Sequence, residues 1–497
     1  MALEYMLAAA LSVFQPLNLL ILVLATFSGL VMGILPGLSA TMAIALLTGL
    51  TYGFPKEAAL ISLIGIYVGS ISGGCQSAIL LNIPGTPASA ATALDGFPMA
   101  KRGEAGHAIF LATTVSTIGT LLSVVCVLTL TPVLTGFALK FTSWEFFLLA
   151  VFGIMICGSL TSGGNVLKGW ISGILGLLVA MVGMDTVNAY PRFSYGNVNL
   201  MSGIQLIPVM IGLFGFPEIV QSFAQVDAKV LQMTSFRMKE GFRKIGRNWM
   251  ALIRSSLIGV GVGIIPGVGE DVGGWLSYWA SKASSKDPDS FGKGNELGLM
   301  SAETGNNACI GGAIIPVMSL AVPGSAPAAV LLAAFLMHGY RPGPLLMTET
   351  PEFVYQISIY LMMAALAMWV LALIIARFSV KILGVNKKIL MPIIYTLCVI
   401  GAFLINHNAF DVKMMFIFGI AGVLLRAVSI PSAPFLLGVI LGPMADANLR
   451  RALIISNGSL RPMLDRPICL VFLVIIAIMI LSQTGLFRLL KKATKRI

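Results

Sequence analysis

Apolar stretches long enough to cross a lipid bilayer recur from one end of this chain to the other, and they restrict its fold more than any other feature. A helix needs about 20 consecutive apolar residues to span the hydrocarbon core. Of 497 residues, 57% are hydrophobic and 10% are charged, whereas about a quarter of the residues in a soluble domain are charged. Backbone groups in lipid must be hydrogen-bonded within the protein, so the sequence predicts an all-α polytopic membrane protein with about 12 helical elements. The clearest apolar stretches are residues 17–35, 108–130, 146–160, 354–376, 389–404, 414–428 and 467–481.

The positive charge of the chain is concentrated in two segments. The formal net charge is +12, which alone could indicate a nucleic-acid partner. The basic residues gather at 229–254 and 488–496, however, and basic clusters beside membrane helices are typical of cytoplasmic loops. We therefore expect contact with the lipid bilayer and no nucleic acid. The six cysteines and three histidines are scattered without metal-ligand spacing, so no metal or cofactor is expected.

Glycine and proline positions of the first half of the chain recur in the second half in the same order. The matched positions are Gly29, Gly33, Pro36 and Gly37 with Gly259, Gly263, Pro266 and Gly267, then Gly73 and Gly74 with Gly311 and Gly312, and Pro84 and Gly85 with Pro323 and Gly324. A weaker match pairs residues 174–176 with 440–442, each followed by an acid, Asp185 and Asp446. The pattern predicts two transmembrane repeats, residues 1–228 and 251–497, joined by a basic linker at residues 229–250.

Each repeat contains two Pro-Gly pairs that are expected to interrupt a helix. Proline removes a backbone donor and clashes with the preceding turn, and glycine permits unusual dihedrals. Broken helices at membrane depth are tolerated where they are buried in protein or line a wet cavity. Matched breaks in two repeats indicate a transporter binding site, because freed amides and half-helix ends can face an anion or a cation. A simple kink remains the alternative for any single break.

Polar residues at and beside these breaks are the candidates for a site, because polar groups in apolar segments are costly. Hydroxyl, amide and backbone N–H donors suit a carboxylate substrate, whereas carboxylates among carbonyls suit Na⁺ or a proton. Hydrogen bonding between packed helices is the structural alternative for the hydroxyls. The candidate substrate-binding residues are Pro36, Gly37, Ser39, Asn82, Pro84, Gly85, Thr86, Pro266, Gly267, Asn306, Asn307, Pro323, Gly324 and Ser325. The candidate ion-coupling residues are Thr41, Glu270, Asp271 and Glu303.

Eight short motifs resemble those of the large transmembrane subunit of the tripartite tricarboxylate transporter family. They are LPGLSAT at 35–41, GSISGGC at 69–75, LNIPGTPASA at 81–90, DGFPMA at 95–100, IPGVG at 265–269, WLSY at 275–278, ETGNNA at 303–308 and VPGSA at 322–326. Weaker similarity covers nearly the whole chain. The resemblance implies secondary, ion-driven uptake of a tricarboxylate, dicarboxylate or aromatic acid across the bacterial inner membrane. It also implies two partners, a small transmembrane subunit and a periplasmic solute-binding protein.

Two other functions compete with this interpretation. An intramembrane aspartyl protease is disfavoured because the chain lacks the Tyr-Asp pair of that class, and no phosphate-binding loop for ATP is present. We therefore expect no enzymatic activity. A passive anion channel is compatible with internal repeats, although discontinuous helices in both halves favour alternating access.

The positions of the charges indicate that the repeats are inverted in the membrane. Before its first break the first repeat carries only Glu4, whereas the second is preceded by a basic segment. By the positive-inside rule, the two repeats therefore begin on opposite sides. We expect Lys101 to face the cytoplasm and Glu349 to face the outside. The basic residues at 488–496 oppose this arrangement, since strict inversion would leave them outside.

Overall fold

The computed structural model describes residues 2–483 apart from 162–164, 186, 188, 225–230, 386 and 405. Within these residues, six helices are long and apolar enough to cross a membrane, and eight shorter helices are also apolar. The only strands in this part of the chain are the antiparallel pair β1 (Gly183–Met184) and β2 (Pro191–Arg192). The prediction of an all-α polytopic membrane protein is therefore confirmed.

The helices of the described residues fall into two groups, one that ends by residue 224 and one that begins at residue 238. Up to residue 224 they are α1 (Ala2–Val13), α2 (Pro16–Ile34), α3 (Ala40–Leu50), α4 (Lys56–Leu81), α5 (Ala90–Lys101), α6 (Ala105–Ala138), α7 (Ser143–Thr161), α8 (Val166–Ala180), α9 (Val198–Met201), α10 (Leu206–Met210) and α11 (Phe216–Ala224). From residue 238 they are α12 (Met238–Arg247), α13 (Trp249–Ile264), α14 (Gly269–Ala283), α15 (Glu296–Leu320), α16 (Ala326–Met337), α17 (Leu346–Glu349), α18 (Glu352–Ala376), α19 (Ser379–Leu383), α20 (Lys387–Leu404), α21 (Ala409–Ala427), α22 (Ser432–Ile455), α23 (Arg461–Asp465) and α24 (Pro467–Gln483).

The chain forms two compact units, each built from separate segments. Unit 1 comprises Met1–Gly136 and Ile207–Leu424, and unit 2 comprises Phe137–Leu206 and Leu425–Ile497. Each unit draws on both sequence repeats, so the units are not the repeats themselves, and the predicted repeat boundaries stay a prediction. The basic residues at 488–496 lie outside the described residues.

In the first half of unit 1, glycines hold α2 and α4 in close parallel contact. A Cβ atom added at Gly29 would lie 2.5 Å from the carbonyl oxygen of Ile66, and one at Gly33 would lie 2.3 Å from that of Ser70. Both distances are too short for any residue larger than glycine unless the backbones move apart. The spacing of four residues on both helices shows that they run in the same direction.

The second half repeats this contact between α13 and α15. A Cβ atom at Gly259 would lie 2.2 Å from the carbonyl oxygen of Gly305, and one at Gly263 would lie 2.7 Å from that of Cys309. The repeated glycines therefore mark the same helix pair twice, and α13 and α15 are also parallel.

The predicted helix breaks are present in both halves. Gly37 and Gly267, with φ of 95° and 72°, lie between α2 and α3 and between α13 and α14. The second breaks follow α4 and α15, where Asn82 and Ala321 end the helices with φ of 59° and 55°. These left-handed conformations stop each helix before its Pro-Gly pair.

The two halves of unit 1 run in opposite directions. Ser72 of α4 contacts Asn307 of α15, and Gly96 of α5 faces both Ile79 and Leu299. Ile79 follows Ser72 by seven residues, whereas Leu299 precedes Asn307 by eight, so α4 and α15 are antiparallel. Because α2 is parallel to α4 and α13 is parallel to α15, the repeats are inverted, as the charges predict.

One end of unit 1, which we call the basic end, gathers the loops that carry most of its cations. Arg102 donates to the carbonyl oxygens of Lys293 and Gly294 at 2.7 and 2.9 Å, and Glu104 lies 3.2 Å from Arg102 and 3.8 Å from Arg237. The loop between α16 and α18 lies at the other end, where His338 contacts Thr51 at 3.4 Å and Lys56 lies over the Tyr340 ring. Residues 101 and 349 are therefore at opposite ends of unit 1.

In unit 2, the weak match between residues 174–176 and 440–442 corresponds to a pair of packed helices. A Cβ atom at Gly176 of α8 would lie 2.0 Å from the carbonyl oxygen of Phe435 in α22. The acids that follow the two segments share one guanidinium, since Arg450 lies 3.0 Å from Asp185 and 2.8 Å from Asp446. The match thus identifies two helices that contact each other within unit 2.

Candidate functional site

The two breaks of each half are packed together. A Cβ atom at Gly85 would lie 1.9 Å from the carbonyl oxygen of Gly33, and one at Gly324 would lie 1.9 Å from that of Gly263. In both halves, therefore, the second break packs against the helix end that precedes the first. In the second half a hydrogen bond also joins the breaks, from the Gly267 N–H to the carbonyl oxygen of Pro323 at 3.2 Å.

Glu270 is the centre of a first polar cluster, formed by Glu270, Tyr67 and Ser325. It lies in the first turn of α14, directly after a break, and is 3% exposed. The Tyr67 hydroxyl of α4 donates a hydrogen bond to Glu270 Oε1, and Ser325 Oγ donates to the same oxygen at 3.0 Å. One carboxylate of the second half is thus held by a hydroxyl from each half.

Glu303 is the centre of a second polar cluster, in which Thr92, Ser116, Ser72 and Asn307 also take part. Thr92 donates to Glu303 Oε1, and Ser116 donates to Oε2 at 2.9 Å. The Asn307 amide donates to Ser116 Oγ at 2.9 Å and accepts from Ser72 at 2.5 Å. All five residues are buried. Here too, the acid comes from the second half of unit 1 and the hydroxyls come from the first.

Asn306 differs from these residues because its amide has no hydrogen-bond partner. It is 0% exposed, and neither Nδ2 nor Oδ1 finds a partner within the described part of the chain. It lies beside the second break of the first half: a Cβ atom at Gly274 would be 3.3 Å from the Ala88 carbonyl oxygen and 3.5 Å from Asn306 Cβ. An unsatisfied buried amide costs about 1–3 kcal/mol, so this position favours a bound ligand that would pair with it.

Comparison with known proteins identifies the family. The sequence model of the family described as "Tripartite tricarboxylate transporter TctA family" matches residues 19–437. The chain belongs to this TctA family. It is 35% identical over 458 residues to the uncharacterized 52.8 kDa protein in TAR-I ttuC' 3'region of Agrobacterium vitis, covering 91% of this chain and 90% of that protein. It is also 35% identical over 207 residues to the uncharacterized protein in TAR-II ttuC' 3'region of the same organism, covering 42% of this chain and 86% of that one. No solved structure matches.

Several predicted site residues of this TctA-family chain lie at the breaks but have local partners. Ser39 caps α3 by accepting a hydrogen bond from the Met42 N–H at 3.2 Å. Thr86 Oγ1 lies 3.4 Å from Ser89 Oγ, and Thr41 is 5% exposed. Of the Pro-Gly positions, Gly37 and Pro84 are half-buried, and the buried ones are Pro36, Gly85, Pro266, Gly267, Pro323 and Gly324. Their roles stay predictions.

Two predicted site residues are exposed. Asn82 ends α4 in a left-handed conformation and its side chain is open to the surroundings. Asp271 follows Glu270 in α14, yet it is exposed while Glu270 is buried. The two neighbouring acids therefore lie in different environments, and within the described part of the chain no hydrogen bond joins Asp271 to the Glu270 cluster.

Four hydroxyl residues of the clusters were not predicted from the sequence: Tyr67, Ser72, Thr92 and Ser116. All four belong to the first half of this TctA-family chain, whereas the acids of the two clusters belong to the second half. The buried acids of the second half were the available signal, because each needs donors from a neighbouring helix.

One group of three metal-ligating side chains occurs in the described residues, made of His107, Glu240 and Glu296. His107 lies 3.1 Å from Glu296, and the Lys244 ammonium lies 2.8 Å from the other carboxylate oxygen. Since a lysine already neutralises the carboxylate, this group is best described as an ion-pair network.

Proposed function

We propose that this TctA-family chain is the large membrane subunit of a tripartite secondary transporter that takes up a carboxylate by ion-coupled alternating access. The observation that carries the proposal is the buried, unpartnered amide of Asn306 beside the second break of the first half. A carboxylate needs donors, and this amide supplies them together with backbone N–H groups at the breaks. Tricarboxylates, dicarboxylates and aromatic acids are the substrate classes to test.

The coupling ion is assigned to the acids of the second half. Buried carboxylates surrounded by oxygen atoms suit either Na⁺ or a proton, and such residues mark ion pathways in membrane proteins. Glu270 and Glu303 each have this environment. Asp271 is the exposed acid nearest a break, and Thr41 is its counterpart in the first half.

Partners and location are proposed from the family alone. We propose that a small transmembrane subunit and a periplasmic solute-binding protein complete the tripartite system, and that this chain lies in the inner membrane of a bacterium. The basic end of unit 1 then faces the cytoplasm by the positive-inside rule.

The test is uptake into proteoliposomes that contain this chain and its small subunit, with the binding protein added outside. A panel of labelled carboxylates is presented under an imposed Na⁺ or pH gradient. We expect one substrate class to accumulate above its equilibrium level with one of the two gradients. Equilibration without accumulation would instead indicate a passive anion channel.

Asn306→Leu tests the site itself. The variant should lose substrate binding and uptake, yet its melting temperature should not fall, because the amide has no protein hydrogen bond to lose. Asn448→Leu is the matched control, since the Asn448 amide donates to the Met444 carbonyl oxygen within α22 at 2.8 Å. Normal uptake by Asn306→Leu would remove this residue from the site.

A further inference from the structure

The helix α12, in the basic linker, is attached to unit 1 by one face. A Cβ atom at Gly241 would lie 2.5 Å from the Phe110 ring, and Ile245 is 8% exposed within the core around α6. The Phe242 ring meets Phe110 edge-on, with centroids 5.2 Å apart. The position of this helix at the basic end is therefore fixed by packing against α6.

A second face of α12 is apolar and exposed. Met238 and Phe242 are 42% and 50% exposed, and Trp249, which begins α13, is 55% exposed. At about 100° per residue, Met238 and Phe242 fall within about 40° of each other around the axis of α12. They lie next to the buried face, so the apolar surface of unit 1 continues onto α12.

The third face carries a stripe of cations that have no acidic partner. Lys239, Arg243 and Arg247 are exposed and follow one another at intervals of four residues, about 60–180° beyond the apolar face. None of the three forms a salt bridge or hydrogen bond among the residues described. Two neighbouring cations are paired, Arg237 with Glu104 and Lys244 with Glu296.

We propose that α12 lies in the membrane interface and binds anionic phospholipid headgroups through Lys239, Arg243 and Arg247. Exposed apolar side chains beside a row of unpaired cations are the features of an interfacial helix. The apolar face enters the acyl region, and the long basic side chains reach the phosphates. An anionic lipid is the occupant that satisfies both faces, whereas a soluble anion would leave the apolar face exposed to water.

The lipid contact is transmitted to the helix that carries Asn306. Lys244 of α12 lies 2.8 Å from Glu296, the first residue of α15, and Glu296 also contacts His107 of α6 at 3.1 Å. Seating α12 on the lipid surface therefore fixes the start of α15. This step concerns structure and lipid binding, and it does not depend on the substrate proposed above.

The experiment compares the apparent melting temperature of the full chain in detergent micelles with added phosphatidylglycerol or phosphatidylcholine. Phosphatidylglycerol should raise it and phosphatidylcholine should not, and about 0.5 M salt should remove the difference, because the Debye length then falls well below 10 Å. Each basic side chain near an anionic surface contributes about fivefold to binding. The triple variant K239Q/R243Q/R247Q should therefore bind on the order of 100-fold more weakly and lose the phosphatidylglycerol effect.

The matched control is K282Q/K286Q/K293Q. It removes three exposed cations at the same end, one from the last turn of α14 and two from the segment that joins α14 to α15. It should keep the full response to phosphatidylglycerol. Equal loss in both triple variants would show a general charge effect and overturn the proposal. A wild-type response that is absent, or that persists in 0.5 M salt, would also overturn it, and this measurement does not depend on how the variants fold.

Discussion

Replacement of Gly259 by alanine should force α13 away from α15. The new Cβ atom would lie 2.2 Å from the carbonyl oxygen of Gly305 and 3.0 Å from Ala308 Cβ. Carbon–oxygen contacts between packed helices are about 3.3 Å, so the backbones must separate by about 1 Å. Overpacking costs typically about 1–3 kcal/mol, and a clash with backbone lies at the top of that range, near 3 kcal/mol.

The same helix provides the control. Gly261 is two residues away, and a Cβ atom there would meet nothing within 4 Å. Gly261→Ala should therefore be neutral or stabilising by about 0.5–1 kcal/mol, because alanine loses less conformational entropy than glycine when the helix forms. Thermal unfolding in detergent distinguishes the variants. At about 2–4 °C per kcal/mol, Gly259→Ala should melt roughly 6–12 °C below wild type, and Gly261→Ala at or slightly above it.

Equal melting temperatures for the two variants would refute the reasoning. That result would mean that the space between α13 and α15 is larger than the structure shows. The equivalent variant in the first half, Gly29→Ala, should behave like Gly259→Ala, because its Cβ atom would lie 2.5 Å from the Ile66 carbonyl oxygen.

Two further predictions concern acids. Asp271→Asn should weaken gradient-driven uptake, measured as initial rates with and without the ion gradient, more than it weakens equilibrium substrate binding, measured with labelled substrate. Unchanged ion dependence of uptake would transfer the coupling role to Glu270 or Glu303. Asp95→Ala should lower the melting temperature by several degrees, because Asp95 Oδ1 accepts the N–H groups of Gly292, Gly294 and Asn295 at 2.7–2.8 Å and each unsatisfied group costs about 1–3 kcal/mol. Asp287→Ala, an exposed acid in the same loop, should leave it unchanged, and similar losses in both would contradict the role of Asp95.

The helix pairs and breaks could be predicted from the sequence because glycine and proline act through local backbone geometry. Gly33 and Gly263 recur in register, and each fits against a neighbouring helix that admits no Cβ atom. The inversion followed from charge, which depends on the membrane rather than on packing. These signals can be read without knowledge of which helices are neighbours.

The partners of the buried acids could not be predicted, because a hydroxyl in a helix has two competing uses. Thr117 donates to the Thr113 carbonyl oxygen in its own helix at 3.0 Å, whereas the adjacent Ser116 donates to Glu303 at 2.9 Å. Both residues are small, polar and buried. Only the direction in which each faces distinguishes them, and that depends on the packing of α6 against α15.

The distribution of these contacts between the halves suggests how movement and binding are coupled. The acids of the two clusters belong to the second half, and α4 of the first half contacts both clusters, through Tyr67 at Glu270 and through Ser72 at Asn307. Tyr67 and Ser72 are five residues apart, about 7.5 Å along the helix. If the halves move relative to each other, α4 must withdraw donors from both clusters together, and unpaired buried carboxylates are strongly destabilising. Under the proposed ion coupling, a cation or proton that replaced those donors would lower the cost, and the movement would then depend on the ion.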